Sequence, residues 1–192
     1  GFTMFDVMMP IFKDRGIEQY LLEVITTNKN AVSMYEKLGF SKIRTLSLLE
    51  LGGEASFGHE PLIEIDLREI DVPEWDLLQS FWDGDPSWQN SISAIERSRH
   101  QKRFVGAYHK DDCLGYIVYS ANSGRISQMA VDQNYRGLGI GTVMLEKLLS
   151  ENDADAKPQV VNIDRSLSEA MTFFENRGFK TKLNQFEMIR AI

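Results

Sequence analysis

A glycine-rich stretch at residues 128–142 constrains the fold of this chain more than any other feature. Its sequence is Gln-Met-Ala-Val-Asp-Gln-Asn-Tyr-Arg-Gly-Leu-Gly-Ile-Gly-Thr. The apolar residues at its start predict the end of a buried strand, and residues 143–149, Val-Met-Leu-Glu-Lys-Leu-Leu, have the spacing of one helix face. Glycine adopts backbone conformations that other residues resist. The sequence therefore predicts a strand, a tight glycine loop and a helix in succession.

The N-terminus of this predicted helix is expected to bind an anion. The N–H groups in the first turn of a helix have no partners within the helix and point out of its N-terminus. The three glycines place no side chains between those groups and a ligand. A Walker A loop ends in Gly-Lys-Ser/Thr, whereas this loop ends in Gly141-Thr142 without the lysine. A dinucleotide fingerprint has Gly-x-Gly-x-x-Gly, whereas the spacing here is Gly-x-Gly-x-Gly. The pattern favours a phosphate site of another kind, and the alternative is a glycine-rich turn that binds nothing.

The same segment resembles motif A of the GCN5-related N-acetyltransferase (GNAT) superfamily, Arg/Gln-x-x-Gly-x-Gly/Ala. Arg136, Gly139 and Gly141 occupy its named positions. The resemblance implies that loop amides hold the pyrophosphate of acetyl-CoA, the co-substrate, and that the preceding strand pairs with the pantetheine arm. The residues that it implies as cofactor contacts are Met129, Val131, Arg136, Gly137, Leu138, Gly139, Ile140, Gly141 and Thr142.

Composition narrows the class of protein. The 192 residues are 43% hydrophobic and 26% charged, as is typical of a soluble globular protein. A net charge of −7 argues against a nucleic-acid surface, and no apolar run approaches the roughly 20 residues that span a bilayer. The single Cys113 fits a reducing compartment. We therefore expect a cytoplasmic protein without nucleic-acid or membrane partners. The scattered positions of His59, His100 and His109 predict no metal site.

Two segments of the chain repeat one another at a separation of 139 positions. Both predict a strand, a short helix and a glycine turn, and both resemble GNAT motif B, in which a strand leads into a helix that ends in Gly-Phe. A separation of one domain length indicates a tandem duplication and not a solenoid. The matching pairs are Val24 and Ile163, Ala31 and Ala170, and Gly39 and Gly178.

The remaining pattern completes only the second copy. Residues 57–192, with a first strand expected at 62–67, follow the order β-α-α-β-β-β-α-β-α-β, which is the GNAT order. We therefore expect a complete α/β GNAT-like acetyltransferase domain with a mixed, mostly antiparallel sheet flanked by helices. Residues 1–54 predict the C-terminal half of a first such domain in a longer protein. Because its strands would have unpaired edges, we expect this half to pack on the complete domain or to form a homodimer.

The two copies differ where GNAT enzymes place their catalytic groups. The resemblance implies a tyrosine general acid on the motif B helix and an asparagine at its start. The first copy has Asn28 and Tyr35, whereas the second has Leu167 and Phe174. Phenylalanine cannot donate a proton. Three alternatives stay open: water protonates the leaving thiolate, the domain binds acyl-CoA without turnover, or Tyr35 serves the second cleft across an interface.

Asp164, at the end of a predicted cleft strand, is the leading candidate for the general base. Its alternative role is a helix cap or a surface charge beside Arg165. Further candidate bases are Asn162, Glu187 and Asp132, and further hydroxyl groups are those of Tyr108, Tyr119 and Tyr135.

The segment 82–90, Trp-Asp-Gly-Asp-Pro-Ser-Trp-Gln-Asn, lies where the resemblance implies the acceptor pocket. Trp82, Asp85 and Trp88 would bind a cationic amine through cation–π and charge contacts, or the tryptophans would pack helices around a solvated turn. The sequence thus predicts an acyl-CoA-dependent N-acetyltransferase that acts on a primary amine of a small molecule or peptide. The alternative is a non-catalytic acyl-CoA-binding or regulatory module.

Overall fold

A computed structural model of the chain describes residues 2–53, 55, 57, 60–152 and 156–192. Gly1 and Glu54, at the ends of the predicted first copy, and His59 lie outside the described residues. The α-helices span Phe2–Asp14 (α1), Lys29–Lys37 (α2), Trp75–Ser80 (α3), Ile92–Arg97 (α4), Ile140–Glu151 (α5) and Ser168–Glu175 (α6). The strands span Gln19–Ile25 (β1), Ser41–Leu51 (β2), Asp66–Glu69 (β3), Arg103–His109 (β4), Asp112–Ser120 (β5), Arg125–Val131 (β6), Gln159–Asp164 (β7) and Phe179–Ala191 (β8).

These strands form one mixed sheet in the order β1-β8-β2-β7-β6-β5-β4-β3. Neighbouring strands are antiparallel except for β6 and β7, which run parallel. This parallel pairing covers only Arg125 with Gln159 and Ile126 with Val160. The two strands separate beyond Val160, and a cleft opens between them. The predicted α/β fold with a mixed, mostly antiparallel sheet flanked by helices is confirmed.

Residues of the predicted first copy lie within this sheet. β2 lies between β7 and β8, and β8 in turn lies between β1 and β2. Ile25 pairs with Gln185, and Leu46 pairs with Asp164. Replacing each residue by its equivalent in the other copy, 139 positions away, turns the pair Ile25–Gln185 into the pair Asp164–Leu46. The same replacement turns the pair Leu46–Gln185 into itself. The strand pairing is therefore symmetric about the Leu46–Gln185 pair.

The strand expected at 62–67 is shifted along the chain, since β3 begins at Asp66. The physical reason lies in the backbone of the preceding segment. The Leu62 N–H donates to the Leu138 carbonyl in the glycine loop at 3.0 Å. Residues before β3 therefore pack on the glycine loop and do not extend the sheet.

Apolar side chains fill three clusters between the sheet and its helices. The largest places α5 against the centre of the sheet, and its fully buried members include Ile117, Tyr119, Met144, Leu145 and Leu148. A second, beneath α1 and α2, includes Phe5, Val24, Val32, Phe40 and Met188. The third lies beneath α3 and α4 and includes Leu78, Phe81, Ile95, Phe104 and Tyr116. Burial of these side chains fixes the helices that surround the cleft.

Candidate active site

The cleft between β6 and β7 has a volume of about 550 Å³, within the range of small-molecule sites. Its walls are β6 and β7, the glycine loop, the first turns of α5 and α6, and residues 81–86 before α4. The predicted cofactor contacts Met129, Val131, Arg136, Gly137, Leu138, Gly139, Ile140, Gly141 and Thr142 all line it.

The backbone groups of Met129 and Val131 point into the cleft. The Asp132 N–H donates to the Leu114 carbonyl across the β5–β6 ladder at 2.8 Å. Alternate residues of an antiparallel ladder direct their N–H groups to the same neighbour. The N–H groups of Val131 and Met129 therefore face β7, from which β6 has already separated. The Val131 carbonyl accepts a hydrogen bond from Arg136 Nε at 3.1 Å.

The glycine loop presents further N–H groups at the start of α5. Gly137 and Gly139 have φ angles of +78° and +89°, in the left-handed region that glycine adopts readily. The Val143 N–H makes the first intrahelical bond, to the Gly139 carbonyl. The N–H groups of residues 140–142 consequently lack partners within the helix, and the helix dipole adds partial positive charge there. This is a suitable site for an anion.

Close packing accounts for two of the loop glycines. A Cβ atom at Gly139 would lie 2.8 Å from Pro61 Cα, and one at Gly141 would lie 2.9 Å from Phe173 Cε2. Arg177 stacks on the Phe173 ring at 3.7 Å and donates to Thr142 Oγ1 at 2.6 Å. The glycine loop therefore packs against Pro61 on one side and against Phe173 and Arg177 on the other.

Arg136 connects the glycine loop to the segment after α3. In addition to the Val131 carbonyl, its guanidinium contacts the Phe81 carbonyl at 3.3 Å and the Asp83 carboxylate at 2.9 Å. Glu169 on α6 lies 3.5 Å away. Arg136 thus occupies the edge of the cleft with its charge already paired to Asp83.

The structure brings Trp82 and Asp85 into the cleft lining and leaves Trp88 outside it. Trp88 is 44% exposed, so of the two indoles only that of Trp82 lines the cleft. The Trp82 indole N–H donates to the Tyr116 hydroxyl at 2.5 Å, and that hydroxyl donates to Gln128 Oε1 at 2.8 Å. Burial raises the pKa of Tyr116 above its ordinary value, so this hydroxyl stays neutral.

Asn90 spans the gap between the separated strands. Its side chain donates to the Val161 carbonyl of β7 at 2.7 Å, and its own carbonyl accepts from Gln128 Nε2 of β6 at 2.6 Å. Asn90 is 6% exposed. Asn90 therefore links β6 and β7 at a point where the two strands do not pair with each other.

Asp164 lies at the cleft and also caps the turn before α6. Its Oδ1 accepts from the Ser166 N–H at 2.9 Å and the Ser166 hydroxyl at 2.8 Å. Its Oδ2 lies 3.5 Å from Arg44 Nη1. Both of the roles considered from sequence, cleft carboxylate and local cap, are geometrically available to it.

Two of the other candidate bases are engaged with neighbouring residues. Glu187, 2% exposed, accepts from Arg44 Nε at 2.6 Å. Asp132 is an N-cap residue and accepts from the Asn134 N–H at 2.9 Å. Asn162 lies in the lining of the cleft, and its side chain turns towards a carboxylate of β1.

That carboxylate belongs to Glu23, which sequence reasoning missed. Glu23 Oε2 accepts from Asn162 Nδ2 and Gln89 Nε2, each at 2.7 Å. Burial raises the pKa of Glu23 to about 7, with a further contribution from the negative charge of Glu187. The repeat carried the signal, since Glu23 and Asn162 are 139 positions apart and therefore equivalent in the two copies.

The structure does not bring Tyr35 to the cleft. Tyr35 packs edge-on against Phe5 and Phe40, with ring centroids 6.4 and 5.7 Å away, in the cluster beneath α1 and α2. Among the other hydroxyls named from sequence, Tyr135 lines the cleft, whereas Tyr119 bonds to Glu151. Phe174 lines the cleft on the side of α6.

Within the described ranges, no group of three or more His, Cys, Asp and Glu side chains is placed to hold a metal ion. In the same part of the chain, no helix is both long enough and apolar enough to cross a membrane.

Solved structures share this architecture. A GCN5-related N-acetyltransferase from Sphaerobacter thermophilus matches with a TM-score of 0.65 at 14% identity, over 95% of this chain and 65% of its own. A tandem GNAT protein from the clavulanic acid biosynthesis pathway matches with a TM-score of 0.68 at 11% identity, over 95% of this chain and 66% of its own. At these identities the likeness shows the fold.

A curated relative, an uncharacterized protein of Mycobacterium leprae (strain TN), is 28% identical over 129 residues. The match covers 64% of this chain and 35% of the relative, so the chain spans about a third of that protein. The family model described as Acetyltransferase (GNAT) domain matches residues 84–189, more than half of the chain. With its separated parallel strands and its glycine loop at a helix N-terminus, this chain belongs to the GNAT acetyltransferase family.

Proposed function

We propose that this protein is an N-acetyltransferase that transfers an acetyl group from acetyl-CoA to a primary amine of a small molecule or peptide. One observation carries the proposal: the N–H groups of Met129 and Val131, which face the side of β6 where the pairing with β7 has ended, lead directly into a glycine loop whose N–H groups begin α5. An extended arm that ends in a phosphate fits that succession of donors and acceptors.

The residues present suit acetyl-CoA. The pyrophosphate would be bound by the N–H groups of residues 137–142, at the positive end of the α5 dipole. The pantetheine arm would pair with the backbone of Met129 and Val131. Arg136 would bind the pyrophosphate only by exchanging its contact with Asp83, 2.9 Å away. We propose the same nine cofactor contacts that the sequence indicates.

The reaction requires three groups. Asp164 accepts one proton from the ammonium form of the acceptor, and the neutral nitrogen attacks the thioester carbonyl carbon. The Val131 N–H stabilises the charge that develops on the carbonyl oxygen. The C–S bond breaks, the thiolate takes a proton from water, and the nitrogen releases its remaining surplus proton to solvent. Water is the acid in this proposal because Phe174 stands at the position where the family resemblance implies a tyrosine.

A cationic amine fits the acceptor side of the cleft. Asp83, Asp85 and Asp164 all line that side. Asp83 is paired with Arg136, and Asp164 lies 3.5 Å from Arg44, so we assign the first contact with the acceptor cation to the Asp85 carboxylate. Opposite charge concentrates a cationic substrate at such a wall. Trp82 would supply an apolar surface at the same wall, whereas Trp88 is outside the lining of the cleft.

We infer that residues 1–54 are the C-terminal half of a first GNAT-like domain and that residues 57–192 are a complete second one. Strand pairing that is symmetric under a shift of 139 positions supports this inference. The helix caps are also alike: Asn28 has φ −81° and ψ 73°, and Leu167 has φ −79° and ψ 72°. The lone Cys113 supports a cytoplasmic location for such a protein.

The rival function is non-catalytic binding of acyl-CoA. It is favoured by Leu167 and Phe174, which replace the asparagine and tyrosine of the first copy. CoA release from acetyl-CoA across a panel of small amines and peptide N-termini separates the two functions, with acetyl-CoA binding measured in parallel by calorimetry. Release with at least one amine supports the acetyltransferase. Binding without release on any amine supports the rival, and absence of binding contradicts both.

A further inference from the structure

Arg44, on β2, joins the predicted first copy, residues 1–54, to the wall of the cleft. Its guanidinium donates to the Glu187 carboxylate at 2.6 Å and lies 3.5 Å from Asp164. It also donates to the carbonyls of Asp85 at 2.6 Å and Pro86 at 3.1 Å. One planar side chain thus connects three strands with the segment before α4. A guanidinium can do this because it presents five donors in a fixed fork.

The segment that Arg44 contacts belongs to the cleft lining, although Arg44 itself does not. Asp85 and Pro86 line the cleft on its acceptor side. A second anchor follows three residues later, where Gln89 donates to Glu23 of β1 at 2.7 Å. Both anchors, Arg44 and Glu23, come from the first 54 residues. The position of the acceptor wall therefore depends on strands outside the matched family domain, which begins at residue 84.

We propose that Arg44 is a positioning residue that fixes the acceptor wall at residues 83–89, so that residues 1–54 govern acceptor binding without contacting acetyl-CoA. The inference rests on the proposed function for the identity of the ligand, and on geometry alone for the placement of the wall. The side chain acts through the backbone carbonyls of Asp85 and Pro86, which orient the Asp85 carboxylate. The glycine loop reaches the same wall by a separate contact, that of Arg136 with Asp83, and within the described residues no hydrogen bond or ion pair joins the loop to Arg44.

Arg44→Lys distinguishes this role from that of a buried counter-ion. Lysine keeps the positive charge beside Glu187 and loses the fork that reaches the two carbonyls. Arg44→Gln removes both. Arg68→Lys is the matched control, because Arg68 on β3 also bonds to a carboxylate, that of Asp66 at 2.7 Å, and to a carbonyl, that of Lys110 at 2.8 Å, away from the cleft.

Hydrogen exchange of the full chain tests the placement of the wall without requiring turnover. In Arg44→Lys, peptides that cover residues 83–90 are expected to exchange at least about fivefold faster than in the wild type, while peptides that cover residues 136–144 keep their rates. Arg68→Lys is expected to leave both regions unchanged. Wild-type exchange at residues 83–90 in Arg44→Lys would overturn the inference, as would equal acceleration in both regions.

Steady-state kinetics then test the consequence for the acceptor. The acceptor KM of Arg44→Lys is expected to rise at least about tenfold, with the Kd for acetyl-CoA within about twofold of the wild type. An unchanged acceptor KM, or an equal rise in the acetyl-CoA Kd, would contradict the inference. If the wild type acetylates no amine, the proposed function fails, and the exchange rates still decide whether Arg44 positions the wall. Arg44→Lys retains the charge that Glu187 requires, so the test stands even if Arg44→Gln does not fold.

Discussion

Asn162 donates a side-chain hydrogen bond to the Glu23 carboxylate at 2.7 Å, across a sequence separation of 139 residues. The same separation relates the two similar segments of the chain, so equivalent positions of the two copies meet across β8 and β2. Asn162 has a φ of +59°, a left-handed conformation that asparagine tolerates better than most residues. The carboxylate of Glu23 in one copy and the amide of Asn162 in the other form a hydrogen bond, whereas two carboxylates at these positions would repel one another.

The raised pKa of Glu23 makes stability depend on pH. Folding raises this pKa from 4.5 to about 7, so the folded chain binds a proton that the unfolded chain has released between these values. The stabilisation is complete below pH 4.5 and is lost as the pH rises through about 7. As the pH rises from about 5 to about 8, the Tm of the wild type is therefore expected to fall relative to that of Glu23→Gln. Solvent partly screens the Glu23 charge, and this screening makes the fall in Tm smaller.

Thermal melts at a series of pH values measure this difference. Glu18→Gln, at an exposed position just before β1, is the control and is expected to keep the wild-type pH dependence. A Glu23→Gln variant with the same pH slope as the wild type would show that Glu23 does not carry the titration.

Asn90 is expected to be needed for the separation of β6 and β7. Asn90→Ala leaves the Val161 carbonyl without its donor in a buried position, which costs about 1–3 kcal/mol of unfolding free energy. Because the strands are then free to approach, acetyl-CoA binding should weaken as well. Urea unfolding and calorimetry measure the two effects.

Asn134→Ala is the matched control for this prediction. Asn134 is exposed and bonds only locally to Asp132, so its loss should change the unfolding free energy by no more than about 0.5 kcal/mol. Equal effects of the two substitutions would argue against a special role for Asn90.

Gly139 is expected to tolerate no side chain. Its φ of +89° would strain alanine by about 1–2 kcal/mol, and the new Cβ would lie 2.8 Å from Pro61 Cα. Gly139→Ala should therefore lower the unfolding free energy by at least that amount. Gly53→Ala, where a Cβ meets nothing within 4 Å and no positive φ is present, should be nearly neutral. Gly139→Ala as stable as Gly53→Ala would mean that the loop has another conformation in solution.

The glycine loop and the helix that follows it could be predicted because their signals are local. Glycine spacing and the apolar face of residues 143–149 specify the turn and helix without reference to the rest of the chain. The same holds for the repeated strand and helix, whose caps at Asn28 and Leu167 have nearly the same dihedral angles.

The order of the strands in the sheet and the long-range contacts of side chains could not be predicted in this way. The position of β2 between β7 and β8 depends on pairings between residues more than 100 positions apart, such as Leu46 with Asp164, and no local pattern encodes them. For the same reason the contacts of Arg44 with Glu187, Asp85 and Pro86 could not be predicted. Only proximity in sequence suggests Trp88 as a contact for the acceptor. In the short helical turn at Trp88–Asn90, Asn90 is buried and Trp88 is exposed.

We expect the loop at Gly137 to bind the pyrophosphate of acetyl-CoA. A Cβ atom at Gly137 would meet nothing within 4 Å, and its φ of +78° is one that asparagine and aspartate both accept better than other residues. Gly137→Asp places a negative charge at the loop, and Gly137→Asn places a neutral group of the same shape there. The difference between the two variants therefore reports charge at the site and excludes backbone strain.

Calorimetric titration of acetyl-CoA into the two variants is the most direct measurement. Gly137→Asp is expected to bind acetyl-CoA at least about tenfold more weakly than Gly137→Asn, since tenfold corresponds to about 1.4 kcal/mol of repulsion between the carboxylate and the phosphates. The difference between the two Kd values is expected to shrink as salt is added. Equal Kd values for the two variants at low salt would contradict the claim that this loop holds the pyrophosphate.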